Sequence, residues 1–230
     1  MKIFRSSQIR QIDEYTIRNE PIASADLMER AAMKLFEWYT DNFPRNRRVM
    51  IFAGPGNNGG DGLALARMLA KDRYETELWY LHFTDNNTDD WKLNRERLEK
   101  ETNVPFKIID TSEQFPLIRS DDVIIDAIFG SGLSGPVTGL PAEIIRLLNE
   151  THNNIIAVDI PSGLMGEDNS SNEPENIIRA DYTLSFQFPK LAFLFRENEI
   201  FTGKWIILPI GLDQIGRDTS ELQSRQVISY

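Results

Sequence analysis

The chain has 230 residues, no cysteine and a formal net charge of -10 at pH 7. That balance excludes disulfides and thiolate metal centres, and it makes nucleic acid or an anionic membrane surface a poor partner. Hydrophobic residues make up 41% of the chain, enough for one sizeable core, and no apolar run reaches the length of a membrane span. Polar residues follow Met1-Lys2-Ile3-Phe4-Arg5 where a signal peptide would place its apolar segment, so a cytoplasmic setting is expected.

Ser6 or Ser7 is placed to cap a first helix running to about Asn19, with Ile9, Ile12 and Tyr15 on its inner face. Pro21 interrupts, and Ser24 is expected to cap a second helix. Its broad apolar stripe (Leu27, Met28, Ala31, Ala32, Leu35, Phe36, Tyr39) reads as core or subunit interface. Pro44 ends it, and Arg45, Arg47 and Arg48 read as a solvated connector. From Val49 the pattern alternates. Strands are expected near 49–53, 76–81, 105–109, 122–126, 155–159, 181–186 and 205–208, and helices near 61–71, 88–101 and 140–150. This is the order of an α/β fold, a Rossmann-like three-layer αβα sandwich with a mainly parallel sheet and an N-terminal helical extension. Residues 1–212 read as one domain, with 1–47 as its helical part and 213–230 as a tail or linker. His82 and His152 have no motif partner and read as structural or exposed.

Three stretches fall at the carboxyl ends of expected strands, where open α/β sheets bind ligands. The first is Gly54-Pro55-Gly56-Asn57-Asn58-Gly59-Gly60, read as a glycine turn before a helix that opens at Asp61. Glycines admit close approach to the backbone, and a helix amino end offers free amides. Asp61 suits that helix end but repels a pyrophosphate. The second is Asp126 to Pro136, whose Gly130, Ser131, Gly132, Leu133, Ser134, Gly135 and Pro136 form a candidate backbone cradle for phosphate oxygens. The third is Asp159-Ile160-Pro161-Ser162-Gly163. Asp159 is the candidate acid or base, delivered as the last side chain of its strand.

The segments GPGNNGGDG (54–62), DAIFGSGLSGP (126–136) and VDIPSG (158–163), with LMERAA (27–32) and ADYTLSFQFPK (180–190), together resemble the YjeF N-terminal domain family, the NAD(P)HX epimerases. The resemblance covers nearly the whole chain. It implies a homodimer that takes hydrated NADH or NADPH (NADHX, NADPHX) as substrate and binds K+. By residue match it implies potassium contacts from Asn58, Asp126 and Ser162. It implies substrate contacts from Asn57, Asn58, Gly59, Gly60, Asp61, Gly130 to Pro136 and Asp159. It also implies a fused or separate ADP- or ATP-dependent dehydratase as working partner. Two positions depart from the family pattern: Leu191 follows Lys190 where glycine is common, which leaves that lysine without an assigned role, and Ala32 stands where many members have glycine.

The hydrate carries a hydroxyl on the carbon next to the ring nitrogen, and that centre can invert through a planar or a ring-opened species. Either route needs proton transfer. A conventional NAD(P)-dependent oxidoreductase expects an acidic ribose-binding residue about twenty positions beyond the glycine loop, for which Asp85 is the loose candidate. A non-catalytic nucleotide- or protein-binding module expects the crevice carboxylates and amides to be lost, whereas Asn58, Asp61, Asp126, Asp159 and Ser162 are present.

Overall fold

The computed structural model describes residues 3–20 and 22–212. The expected tail, 213–230, lies outside them. In chain order the main elements are α1 (Ser6–Asn19), α2 (Ser24–Asn42), β1 (Val49–Ala53), α3 (Asn57–Lys71), β2 (Thr76–Leu81), α4 (Asp89–Glu101), β3 (Phe106–Ile109), β4 (Val123–Ala127), α5 (Gly139–Asn149), β5 (Asn154–Val158), β6 (Tyr182–Phe186), α6 (Glu199–Thr202) and β7 (Lys204–Leu208). The seven strands form one sheet in the order β3-β2-β1-β4-β5-β6-β7. Every pairing is parallel, so the sheet expected to be mainly parallel is wholly so.

β1 and β4 are buried along their whole length. Their near-continuous apolar sequences are what central strands covered on both faces require. On one face α2, α3 and α4 set Leu35, Leu63, Leu69 and Leu98 against Ile51, Ile125 and Val158. On the other, Ile144, Ile145 and Leu148 of α5 meet Met50, Phe52 and Ile124. A smaller cluster joins the two ends of the described chain: Phe4, Ile9 and Ile12 pack on Leu27, Ala31, Ile210 and Leu212. Strand order reverses between β1 and β4, and there the register aligns Phe52 with Asp126 and Asp126 with Ala157. The carboxyl ends of β1, β4 and β5 therefore open side by side onto one crevice.

Several local expectations are revised. Helix α3 begins at Asn57, not Asp61, so Asn57 to Gly60 form its first turn and Asp61 lies one residue beyond. None of the glycines in that stretch adopts positive φ. They answer to packing: a Cβ on Gly59 would come 1.9 Å from the Gly54 carbonyl oxygen, and one on Gly62 would come 2.8 Å from the Ala127 Cβ. Close packing has overridden the low helix propensity of glycine. Ser24 is the first residue of α2, not its cap, and its hydroxyl donates to Asp90 at 2.6 Å. Tyr15 is half exposed, and Thr16 takes the inner position. Arg48 is no solvated connector. It is buried and reaches Asp122 at 2.5 Å and Glu77 at 3.1 Å, at the amino ends of the strands.

Candidate active site

A chain of hydrogen bonds ties the three loops together. The Asn58 side-chain amide, in the first turn of α3, donates to the Phe129 carbonyl at 2.9 Å. The Phe129 amide donates to the Ser162 hydroxyl oxygen at 2.8 Å. Ser162 gives its own hydroxyl to Asp126 Oδ1 at 2.5 Å and its backbone N–H to Asp126 Oδ2 at 2.7 Å. Asp126 comes from the middle of the sheet and is wholly buried. Burial pushes its carboxyl up to about 6, although the Ser162 and Ile128 donors work against the rise. Gly163, at φ 93, carries the turn that follows Ser162, and a Cβ there would meet the Asn176 carbonyl at 2.1 Å.

Asp159 is the first residue past β5, not its last side chain, and it holds a left-handed backbone at φ 66. A non-glycine residue in that region is strained, and such strain collects at functional sites. Its backbone N–H still donates to the Leu184 carbonyl of β6 at 2.8 Å. Its Oδ1 is 2.7 Å from Lys190 Nζ, and its Oδ2 accepts the Ser131 amide at 3.1 Å. Burial tends to raise this carboxyl. The charge and hydrogen bond of Lys190, together with Ser131, outweigh burial and hold it below the ordinary carboxylate range.

Lys190 is the residue that sequence reasoning left without a role. It is only 2% exposed. The segment after β6 delivers it: Gln187 sits at φ 55, its side-chain oxygen accepts the Ile210 amide beyond β7 at 2.9 Å, and three residues on Lys190 meets Asp159 just past β5. The FPK tripeptide was the available signal. Only the strand pairing of β5 with β6 shows that it ends at Asp159.

A cavity of about 770 Å³ opens above these loops. Of the expected substrate residues, Asn57, Asn58, Asp61, Gly130, Ser131, Gly132, Leu133, Ser134 and Asp159 line it. Gly59, Gly60, Gly135 and Pro136 do not, and Asp126 and Ser162 lie behind the wall. The wall is completed by Ile9 and Ile17 of α1, Ile210 and Leu212 beyond β7, and Leu27 and Met28 of α2, the last two from the stripe read as core or subunit interface. A helix packed over a crevice has the same apolar stripe as one packed in a core, so periodicity could not separate the two. Asp85 is not part of the cavity wall; it lies at the surface beside His82 Nε2, 3.1 Å away. That leaves the oxidoreductase reading without its ribose-binding carboxylate.

The donor set suits a weakly charged cation. Among the described residues, no group of three or more His, Cys, Asp or Glu side chains is placed to hold a metal. Asn58 Oδ1 is buried without a hydrogen-bond partner, a cost that an ion would remove. Through the Phe129 backbone Asn58 is linked to the Ser162 hydroxyl and the Asp126 carboxylate, and together these groups offer the mixed oxygen set a large hard ion accepts.

The family described as YjeF-related protein N-terminus matches residues 24–192. The chain belongs to this family. It is 33% identical over 223 residues to the bifunctional NAD(P)H-hydrate repair enzyme Nnr of Moorella thermoacetica, covering 93% of this chain and 41% of that one. The chain thus spans about two fifths of that bifunctional relative. It is 35% identical over 204 residues to the NAD(P)H-hydrate epimerase of Lentilactobacillus buchneri, covering 88% of this chain and 91% of that one. Against the NAD(P)H-hydrate epimerase of Anaerococcus prevotii it is 34% identical over 218 residues, covering 93% and 97%. A crystal structure of the yeast protein YNL200c superposes with a TM-score of 0.71 at 25% identity, covering 90% of this chain and 87% of that one.

Proposed function

We propose that this member of the YjeF-related family is an NAD(P)H-hydrate epimerase, an isomerase that interconverts the R and S forms of hydrated NADH and NADPH in nicotinamide-nucleotide repair. The observation that carries the reading is Asp159, a buried ionised carboxylate on the wall of a dinucleotide-sized cavity, with epimerases among the relatives matched nearly end to end.

The hydrate's hydroxyl-bearing carbon is set toward Asp159, which moves the proton that inversion requires. Asn57, Asn58 and Asp61 contact the substrate from α3, and the amides of Gly130 to Ser134 hold its pyrophosphate. Asn58, Asp126 and Ser162 would hold K+. The bound ion would supply positive charge beside the Asp126 carboxylate and fix the three loops at one spacing. Asn58 belongs to both sets, so the ion site and the substrate wall share a residue. For assembly and setting we propose a homodimer in the cytoplasm, working with or fused to an ADP- or ATP-dependent dehydratase. The bifunctional relatives support that partnership, and a chain without cysteine is compatible with a reducing compartment.

The test starts from each pure epimer in turn. Both reactions, followed by chromatography with protein and potassium present, should converge on one ratio of epimers. Failure of either to move faster than its protein-free control would reject the reading.

A further inference from the structure

We propose that the buried pairing of Lys190 with Asp159 makes Asp159 a proton acceptor for the hydrate's hydroxyl, and so routes inversion through ring opening and not through loss of hydroxide. Lys190 is in this account a positioning residue. The inference rests on the epimerase reading and selects between the two routes that reading leaves open.

Both Asp159 oxygens already accept a donor, Oδ1 the Lys190 ammonium at 2.7 Å and Oδ2 the Ser131 amide at 3.1 Å. Each keeps lone-pair capacity, and Asp159 lines the cavity, so the group is built to take a proton, not to present one. Lys190 is the one cationic side chain on the described cavity wall, against carboxylates at Glu14, Asp61, Asp90 and Asp159. Loss of hydroxide needs an acid at the departing oxygen. The Lys190 ammonium is buried and committed to Asp159 Oδ1, Asp159 is held as the carboxylate, and Asp126 is closed off behind the wall with Ser162 bound to it.

The ring-opening step balances without any outside reagent. Asp159 accepts the hydroxyl proton, and the oxygen forms a carbonyl with its carbon. The bond from that carbon to the ring nitrogen breaks, and its electron pair passes to nitrogen and into the conjugated carboxamide. Rotation of the freed aldehyde presents its other face. Nitrogen adds back, and the alkoxide recovers the proton from Asp159. The oxygen never leaves.

Isotope retention tests this on the unaltered chain. One epimer is incubated with protein in water enriched in oxygen-18, and the inverted product is isolated and weighed by mass spectrometry. The inverted product should carry no more label than the protein-free control. Label entering in step with inversion overturns the proposal. No inversion at all overturns the epimerase reading on which it stands, and the same tube shows which has failed.

A second arm addresses Lys190 itself. Lys190→Ala should lose about a hundredfold or more in kcat with little change in KM, and propylammonium should restore part of it while propanol does not. Wild-type kcat, or equal rescue by the alcohol, overturns the positioning role. Should the alanine variant not fold, Lys190→Arg carries this arm. It is expected to turn over faster than Asp159→Asn, and a rate no better than that variant's counts against the pairing.

Discussion

Gly59 packs directly on the carbonyl oxygen of Gly54, leaving a Cβ only 1.9 Å from that oxygen. Backbone lies on both sides of the contact, so neither partner can yield by a rotamer change. A Cβ on Gly60 would instead meet the Met28 sulfur at 2.8 Å, the end of a flexible side chain. Overpacking of a tight site costs about 1–3 kcal/mol. Gly59→Ala should lie at or beyond the top of that range and Gly60→Ala near its foot, as read by urea unfolding. Equal losses would mean that the turn tolerates a side chain at Gly59.

Arg48 and Asp122 form a second buried pair, at the end of the sheet away from the cavity. Arg48 also reaches Glu77, and Lys107 Nζ is 3.0 Å from the same glutamate. Removing one partner of a buried pair costs about 3–5 kcal/mol because the other charge is left uncompensated. Arg48→Met should therefore lower unfolding free energy by about that much while leaving epimerisation at assay temperature unchanged. A loss of activity in the folded variant would couple this end of the sheet to the site.

The proposed potassium site would carry a pH signature from Asp126. Burial lifts its folded-state value to about 6, above the 3.8 of an ordinary aspartate. The folded protein then binds the extra proton between those values, so without the cation stability falls as pH rises through that window. Potassium favours the carboxylate, and its stabilising effect should be full above about pH 6 and fade below it. At a hundred times its Kd a native-state ligand adds about 2.7 kcal/mol. Thermal melts with potassium or lithium at pH 5 and pH 7.5 check this. Equal increments at both pH values, or no preference for potassium, would contradict the site.

The cavity side of the 130–134 loop should hold the pyrophosphate. Gly132→Trp ought to weaken dinucleotide binding at least tenfold in a calorimetric titration while preserving the thermal melt. Unchanged affinity would move the phosphates to the amino end of α3.

The alternation from Val49 onward was legible because buried parallel strands and amphipathic helices carry different periods; the end of β1 followed from it, and those of β4 and β5 to within one residue. What escaped was nonlocal. Arg45, Arg47 and Arg48 look alike in sequence, yet only Arg48 is buried against Asp122 and Glu77 through the pairing of β1 with β2 and β4. Lys190 stands far along the chain from the glycine loop and reaches Asp159 because β6 lies beside β5. The early start of α3 was hidden for a different reason. Glycine signals a turn by its backbone freedom, whereas here Gly59 and Gly62 are needed for the missing Cβ.

The most direct measurement is the initial rate of inversion of one purified epimer in potassium buffer, compared among the chain, its Asp159→Asn variant and a protein-free control. General acid–base groups contribute about a hundred- to ten-thousandfold. The chain should invert the substrate rapidly, the variant more slowly by about a hundredfold or more, and both should retain dinucleotide binding. Asp61→Asn, in the same cavity wall, should weaken binding more than turnover. No acceleration by the chain, or an Asp159→Asn variant that inverts the substrate at the full rate, would contradict the proposed function.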